Sequence, residues 1–145
     1  MRKSTHKRHP AKHGTVLLID DETQWLDLIQ QALAGESYRV ITAESGEDAL
    51  RKLQRSKPDL ILSDVRMPVI NGFDLFLKVH NDPKFKSIPF VFMSSIDDFD
   101  AKRTARELGA DDYLEKPFDA DGIKHVVLSL LVRFKDKKVG SNNTR

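Results

Sequence analysis

Five polar residues draw attention because each follows or closes a short apolar run: Asp20 and Asp21 after VLLI, Asp64 after LILS, Ser94 after FVFM and Lys116 after DYLE. Brought together in a half-buried crevice, Asp20, Asp21 and Asp64 would repel one another. At least one pKa would rise, because a low dielectric penalises joint ionisation. A divalent cation relieves that conflict, and a hard-oxygen donor set with few protein ligands suits Mg²⁺, with Mn²⁺ as the alternative ion. A carboxylate nucleophile, a metal, a lysine and a hydroxyl are the parts needed to accept a phosphoryl group. Asp64 would attack in line, the cation and Lys116 would neutralise the equatorial oxygens, and Ser94 would offer a short donor.

Each residue also has an ordinary role open to it. Asp21, Glu22 and Thr23 stand where a helix start needs a cap and negative charge. Asp64 could close a turn, and Lys116, before Pro117, could be a surface lysine. Other chemistries are excluded more firmly. With no cysteine, disulfides and thiolate-based sites are ruled out. There is no GxGxxG, GxxxxGKS or GxxxxGKT, and Asp-Asp-Glu in the turn after the first run would repel a phosphate placed there. No GxSxG is present to support a serine nucleophile.

The elements that must position these residues follow from periodicity. Apolar runs at Thr15 to Asp20, Tyr38 to Thr42, Leu60 to Ser63, Ile88 to Met93 and Asp112 to Glu115 alternate with helical stripes, the pattern of βαβ units around a parallel sheet. Trp25, Leu28, Ile29, Ala32 and Leu33 mark a first helix and Gly35 its stop. Ser45 with Asp48 resembles a capping box ahead of the second helix, and Asn71-Gly72 opens the third. Asp97 to Leu108 reads as a polar fourth helix and Asp119 to Phe134 as the fifth. Strands this apolar are buried on both faces, so helices cover each side. In doubly wound sheets the ligand crevice lies beyond the carboxyl ends of the strands, where all five residues fall.

The formal charge of +2 hides an asymmetry. Residues 1–13 carry five Lys/Arg and no acid, and residues 135–145 carry four against one acid, which leaves the body near −6, counted roughly. That distribution argues against a nucleic-acid-binding core, although a basic arm could touch phosphates weakly. Both ends read as solvated tails, disordered over 1–13 and flexible over 135–145, around one domain at 14–134. His6, His9 and His13 have no folded frame there in which to form a metal site. No segment approaches the ~18 apolar residues that span a bilayer, and the start lacks the apolar core of a signal peptide. A soluble cytoplasmic protein with no membrane insertion is expected.

VLLIDDE, LILSDVRMPVING, FVFMSS and GADDYLEKPF occur in that order, with 44, 30 and 22 residues separating Asp20, Asp64, Ser94 and Lys116. Together they resemble the receiver domain of two-component response regulators, over about Thr15 to Phe134. The resemblance implies an α/β, doubly wound (βα)5 fold of flavodoxin-like type, its parallel sheet ordered 2-1-3-4-5. It implies that Asp64 is the phosphorylated aspartate, that Asp20 and Asp21 hold Mg²⁺ directly or through water, and that the backbone carbonyl of Arg66 is a further ligand. Lys116 would contact the phosphoryl group and precede a cis peptide to Pro117. Ser94 and Tyr113 would act as the switch, altering the face made by helix four, strand five and helix five.

The implied partners are a sensor histidine kinase or histidine phosphotransfer protein, and a downstream target or second copy bound through that face. Such a domain assists its own phosphorylation and dephosphorylation without turning over a separate substrate. The alternative is a degenerate receiver that binds proteins irrespective of phosphate; a phosphohydrolase would need a cap domain or substrate pocket for which there is no room. Ser95 departs from the family's usual alanine. Arg66, two residues beyond Asp64, is expected at the mouth of the site, where it would alter the lifetime of an acyl phosphate. Eleven residues follow Phe134, so a stand-alone receiver or a piece of a longer regulator is expected. In the fifth helix, Ile123, Val126, Val127, Leu130, Leu131 and Phe134 should face the sheet, while Leu128 and Val132 fall opposite as a candidate partner surface. Isolated exposed apolar residues are also ordinary. Trp25 should lie close to the acidic pair.

Overall fold

A computed structural model of the chain describes the backbone of residues 14–35 and 38–143, with side chains for these except Tyr38 and 134–143. The basic segment 1–13, with its three histidines, lies outside the described residues. Five strands and five helices alternate: β1 (Gly14–Ile19), α1 (Thr23–Leu33), β2 (Tyr38–Ala43), α2 (Gly46–Ser56), β3 (Leu60–Asp64), α3 (Gly72–His80), β4 (Phe90–Ser95), α4 (Phe99–Leu108), β5 (Asp112–Lys116) and α5 (Ala120–Asn143). The strands form one parallel sheet ordered β2-β1-β3-β4-β5, as expected.

Alternation within the fully buried strands divides the core. Leu17, Ile19, Ile61, Phe90 and Phe92 point to one face, where they pack with Ala49 and Leu53 of α2, Leu75, Phe76 and Val79 of α3, and Ala101 and Ala105 of α4. Val16, Leu18, Leu60, Leu62, Val91 and Met93 point to the other, against Leu26, Ile29 and Leu33 of α1 and Ile123, Val127 and Leu130 of α5. Each large side chain so buried contributes about 1.5–3 kcal/mol relative to exposure, which makes the sheet the rigid frame for everything at its carboxyl edge.

Local chemistry moves several boundaries. Strand four was expected from Ile88, but Pro89 interposes, the Ile88 amide donates to the Phe85 carbonyl at 3.0 Å, and the strand begins at Phe90. Asp98 rather than Asp97 governs the start of α4, its carboxylate accepting from the Ala101 amide at 3.2 Å. Ser45 accepts from the Asp48 amide at 3.0 Å, but Asp48 returns its bond to the Glu44 amide at 3.4 Å rather than to Ser45. The reciprocal capping box belongs to α3, between Asn71 and Asp74. Residues 135–143, expected as a flexible tail, continue α5 to Asn143. Lys135, Lys137 and Lys138 are good helix formers and no proline supplies a stop.

Candidate functional site

Asp20 leaves the end of β1 fully buried, its amide still on the ladder with Ala43 at 3.1 Å. One carboxylate oxygen accepts from the Glu22 amide at 3.0 Å and the other from Lys116 Nζ at 2.6 Å. Glu22 is the N-cap residue of α1, yet its side chain makes no capping bond. At the helix start its backbone amide orients Asp20, and its carboxylate lies 3.9 Å from Lys116 Nζ. Asp64 ends β3, register-paired with Met93 of β4, and is 6% exposed. Behind it the chain turns back so closely that a Cβ on Gly72 would lie 2.3 Å from the Asp64 carbonyl oxygen. A glycine is required there by close approach, since any side chain would displace the Asp64 backbone.

Asp20, Asp21 and Asp64 each place a carboxylate oxygen within 4.8 Å of the others, Asp21 being the exposed member. Hard oxygens at this spacing, two of three carboxylates drawn from water, fit a small divalent cation. Lys116 reaches between two of the acids: its Nζ lies 2.6 Å from Asp20 and 3.1 Å from Asp64. The peptide from Lys116 to Pro117 is cis. Trp25 lies where expected, its ring centroid 4.9 Å from Lys116 Nζ and 5.0 Å from the Phe118 ring.

Burial, reinforced by the neighbouring Asp20 charge and only partly offset by Lys116, pushes the Asp64 carboxyl up to about 6. Burial raises Asp20 as well, with the Lys116 hydrogen bond acting against it. For Lys116, burial alone would favour the neutral amine, but its bonds to Asp20 and its attraction to Asp64 outweigh that and raise its pKa. The ammonium is therefore charged and stands where the carboxylates most need compensation.

A cleft of about 340 Å³ opens beside this cluster, lined by Asp21, Glu22, Asp64 and Lys116 together with Arg66, Ser94, Ser95 and Asp98. Ser94 is 2% exposed and donates to Asp98 Oδ2 at 3.1 Å. Arg66 does reach the mouth, as expected, and there it grips Asp98 through Nε at 2.8 Å and Nη2 at 2.9 Å. Ser95 turns outward to Asp97, its hydroxyl donating at 2.6 Å. The Tyr113 hydroxyl is buried with no hydrogen-bond partner among the described residues. Asp98 is the site residue that sequence reasoning missed. Its spacing to Ala101 carried an N-cap signal and Ser94 lies only four residues away, but Arg66, its strongest partner, comes from 32 residues upstream, a contact that no local pattern links.

A profile of the response regulator receiver domain matches residues 16–128. The chain belongs to the response regulator receiver domain family. This receiver domain is 36% identical over 118 residues to the alkaline phosphatase synthesis transcriptional regulatory protein PhoP of Bacillus subtilis, an alignment covering 81% of the chain and 48% of the relative. It spans about half the length of the first curated relatives it matches. Among solved structures it resembles a putative response regulator from Chloroflexus aurantiacus, with a TM-score of 0.76 and 34% identity over 82% of this chain and 98% of that one. It also resembles the phosphorylated cyanobacterial phytochrome response regulator RcpA, with a TM-score of 0.71 and 28% identity over 81% of this chain and 91% of that one.

On α5, Val132 is 46% exposed but Leu128 is half-buried, so the expected surface pair is only partly presented to solvent. The Phe134 side chain lies outside the described residues. No helix among the described residues is long and apolar enough to cross a membrane.

Proposed function

We propose that this receiver domain accepts a phosphoryl group on Asp64 from the phosphohistidine of a sensor kinase or phosphotransfer protein. The observation that carries this reading is the cluster itself: three carboxylates within 4.8 Å, with one ammonium bridging Asp20 and Asp64. The RcpA relative is described as phosphorylated, which supports the same chemistry here. An Asp64 carboxylate oxygen attacks phosphorus, the bond from phosphorus to the donor's imidazole nitrogen breaks, and the imidazole leaves with the electron pair and takes up a proton. Lys116 supplies fixed positive charge beside the acceptor, while Asp20 holds Lys116 in place.

Asp20, Asp21 and Asp64 would hold Mg²⁺, or Mn²⁺, with the Arg66 carbonyl as a further donor. When bound, the metal adds charge neutralisation for the transferring oxygens. Ser94 then turns its hydroxyl toward the phosphoryl oxygens, and Tyr113, whose hydroxyl is already buried, responds to that move as the second member of the switch. The face of α4, β5 and α5 changes as a result and binds a target protein or a second copy. The domain acts in the cytoplasm as a switch that assists its own phosphorylation and dephosphorylation, not as an enzyme with a separate substrate.

Incubation with acetyl phosphate and Mg²⁺, followed by intact mass measurement, tests the reading. One phosphoryl increment is expected in the wild type and none in Asp64→Asn. A wild type that gains no mass, or an Asp64→Asn variant that gains the same mass, sinks it.

A further inference from the structure

The Asp98 carboxylate ties the loop after β3 to the end of β4 and to the first turn of α4. Oδ2 accepts from Arg66 Nε at 2.8 Å and from Ser94 Oγ at 3.1 Å; Oδ1 accepts from Arg66 Nη2 at 2.9 Å and from the Ala101 amide at 3.2 Å. An ionised carboxylate has about four acceptor sites, so these four donors fill it. One donor comes from the end of β4 inside the site, two from the loop after β3 at its mouth, and one from the first turn of α4.

We infer that Asp98 is a positioning residue that couples the state of the Ser94 hydroxyl to the start of α4. The inference rests on the phosphoacceptor reading of Asp64. Ser94 has one O–H to donate, and it cannot serve Asp98 and a phosphoryl oxygen at once. Arg66 faces the same choice, because a phosphoryl group in the cleft offers its guanidinium a more strongly charged acceptor than a carboxylate. Loading the site therefore withdraws up to three of the four donors that fix Asp98. The remaining bond, to the Ala101 amide, is the N-cap of α4, and a carboxylate released from its other partners no longer holds that cap in one orientation. Chemistry at Asp64 thereby reaches the helix through one shared side chain.

Amide exchange at Ala101, followed by NMR with and without beryllofluoride and Mg²⁺, tests the coupling, with loading read independently by fluorine NMR. In the wild type, loading should raise Ala101 exchange about fivefold, the scale of one N-cap interaction. Asp98→Ser keeps a capping hydroxyl but is too short to reach Arg66. In it, loading should leave Ala101 exchange unchanged. Arg66→Ala, at an exposed side chain, should start closer to the loaded rate before any mimic is added. A wild type that loads without altered exchange, an Asp98→Ser variant that responds like the wild type, or an Arg66→Ala baseline equal to wild type overturns the coupling. A wild type that does not bind beryllofluoride at all overturns the phosphoacceptor reading, and the coupling with it.

Discussion

Lys116 changes what the acidic cluster demands. Three carboxylates at two strand ends were legible in the sequence, and so was their need for positive charge; that a lysine from β5 would occupy the gap between Asp20 and Asp64 was not, because side-chain reach across a sheet leaves no mark on spacing. Removing this ammonium leaves two buried acids unpaired, at 0% and 6% exposure. Breaking such a pair costs about 3–5 kcal/mol. Lys116→Met should therefore lower the thermal midpoint sharply in EDTA, and Mg²⁺ should restore more stability to the variant than it adds to the wild type, as calorimetry with and without metal would show. The Asp64 carboxyl supplies a second prediction. Its folded value of about 6 lies above the ordinary 3.8, so its stabilising contribution is complete below the ordinary value and is lost as pH rises through about 6. In metal-free urea titrations Asp64→Asn should consequently stabilise the protein near neutral pH and confer almost nothing near pH ~4. An equal effect at both pH values would contradict the assigned cause.

Elements were legible where apolar runs and stop signals coincide, and less so where a hydrogen bond decides the boundary. All five strands could be read because each is a short run bounded by polar or turn residues, although only β1, β3 and β4 are mostly buried and the edge strands β2 and β5 are half-buried. Pro89 displaced the start of β4, and with no proline to stop it α5 runs on to Asn143. The join between β3 and α3 matters most to the site. Gly72 donates its amide to the Val65 carbonyl at 2.9 Å and presses its α-carbon side against the Asp64 backbone, while Asn71 caps the helix from the exposed side. These neighbours should separate in mutational experiments. Asn71→Ala should cost about 0.5–2 kcal/mol of stability and leave phosphoryl uptake intact, because only the cap is lost. Gly72→Ala should cost about 1–3 kcal/mol by overpacking and slow uptake as well, since the added carbon can be housed only by moving Asp64. Urea midpoints paired with mass-detected phosphorylation rates distinguish the two, and equal uptake in both variants would show that the close approach does not position the acceptor.

At the scale of the whole domain, the two helical layers are not equally placed to respond. The sheet face that carries α2, α3 and α4 includes the helix tied to Asp98, and β5 is joined to α4 by Lys102–Glu115 at 3.1 Å and to α5 by Arg133–Asp112 at 3.8 Å. Exposed pairs of this kind are worth about 0–1 kcal/mol each, so the face can rearrange for little energy while the buried strands stay fixed. Charge pattern alone located the basic segments outside the acidic body, but it could not show that α5 extends into the second of them as far as Asn143 or that Leu128 is half sheltered. Val132, 46% exposed and one helical turn beyond Leu128, remains an apolar group on the outer side of α5. If the face binds a second copy after loading, beryllofluoride and Mg²⁺ should increase the wild-type mass measured by sedimentation. Val132→Glu should suppress that increase, because burying an unpaired charge at a contact is strongly unfavourable. Its affinity for the mimic should stay within about twofold of wild type, as the substitution touches none of Asp20, Asp64, Ser94 or Lys116 and an exposed change of this kind costs little stability. A Val132→Glu variant that associates as the wild type does on loading would place the contact elsewhere on the domain.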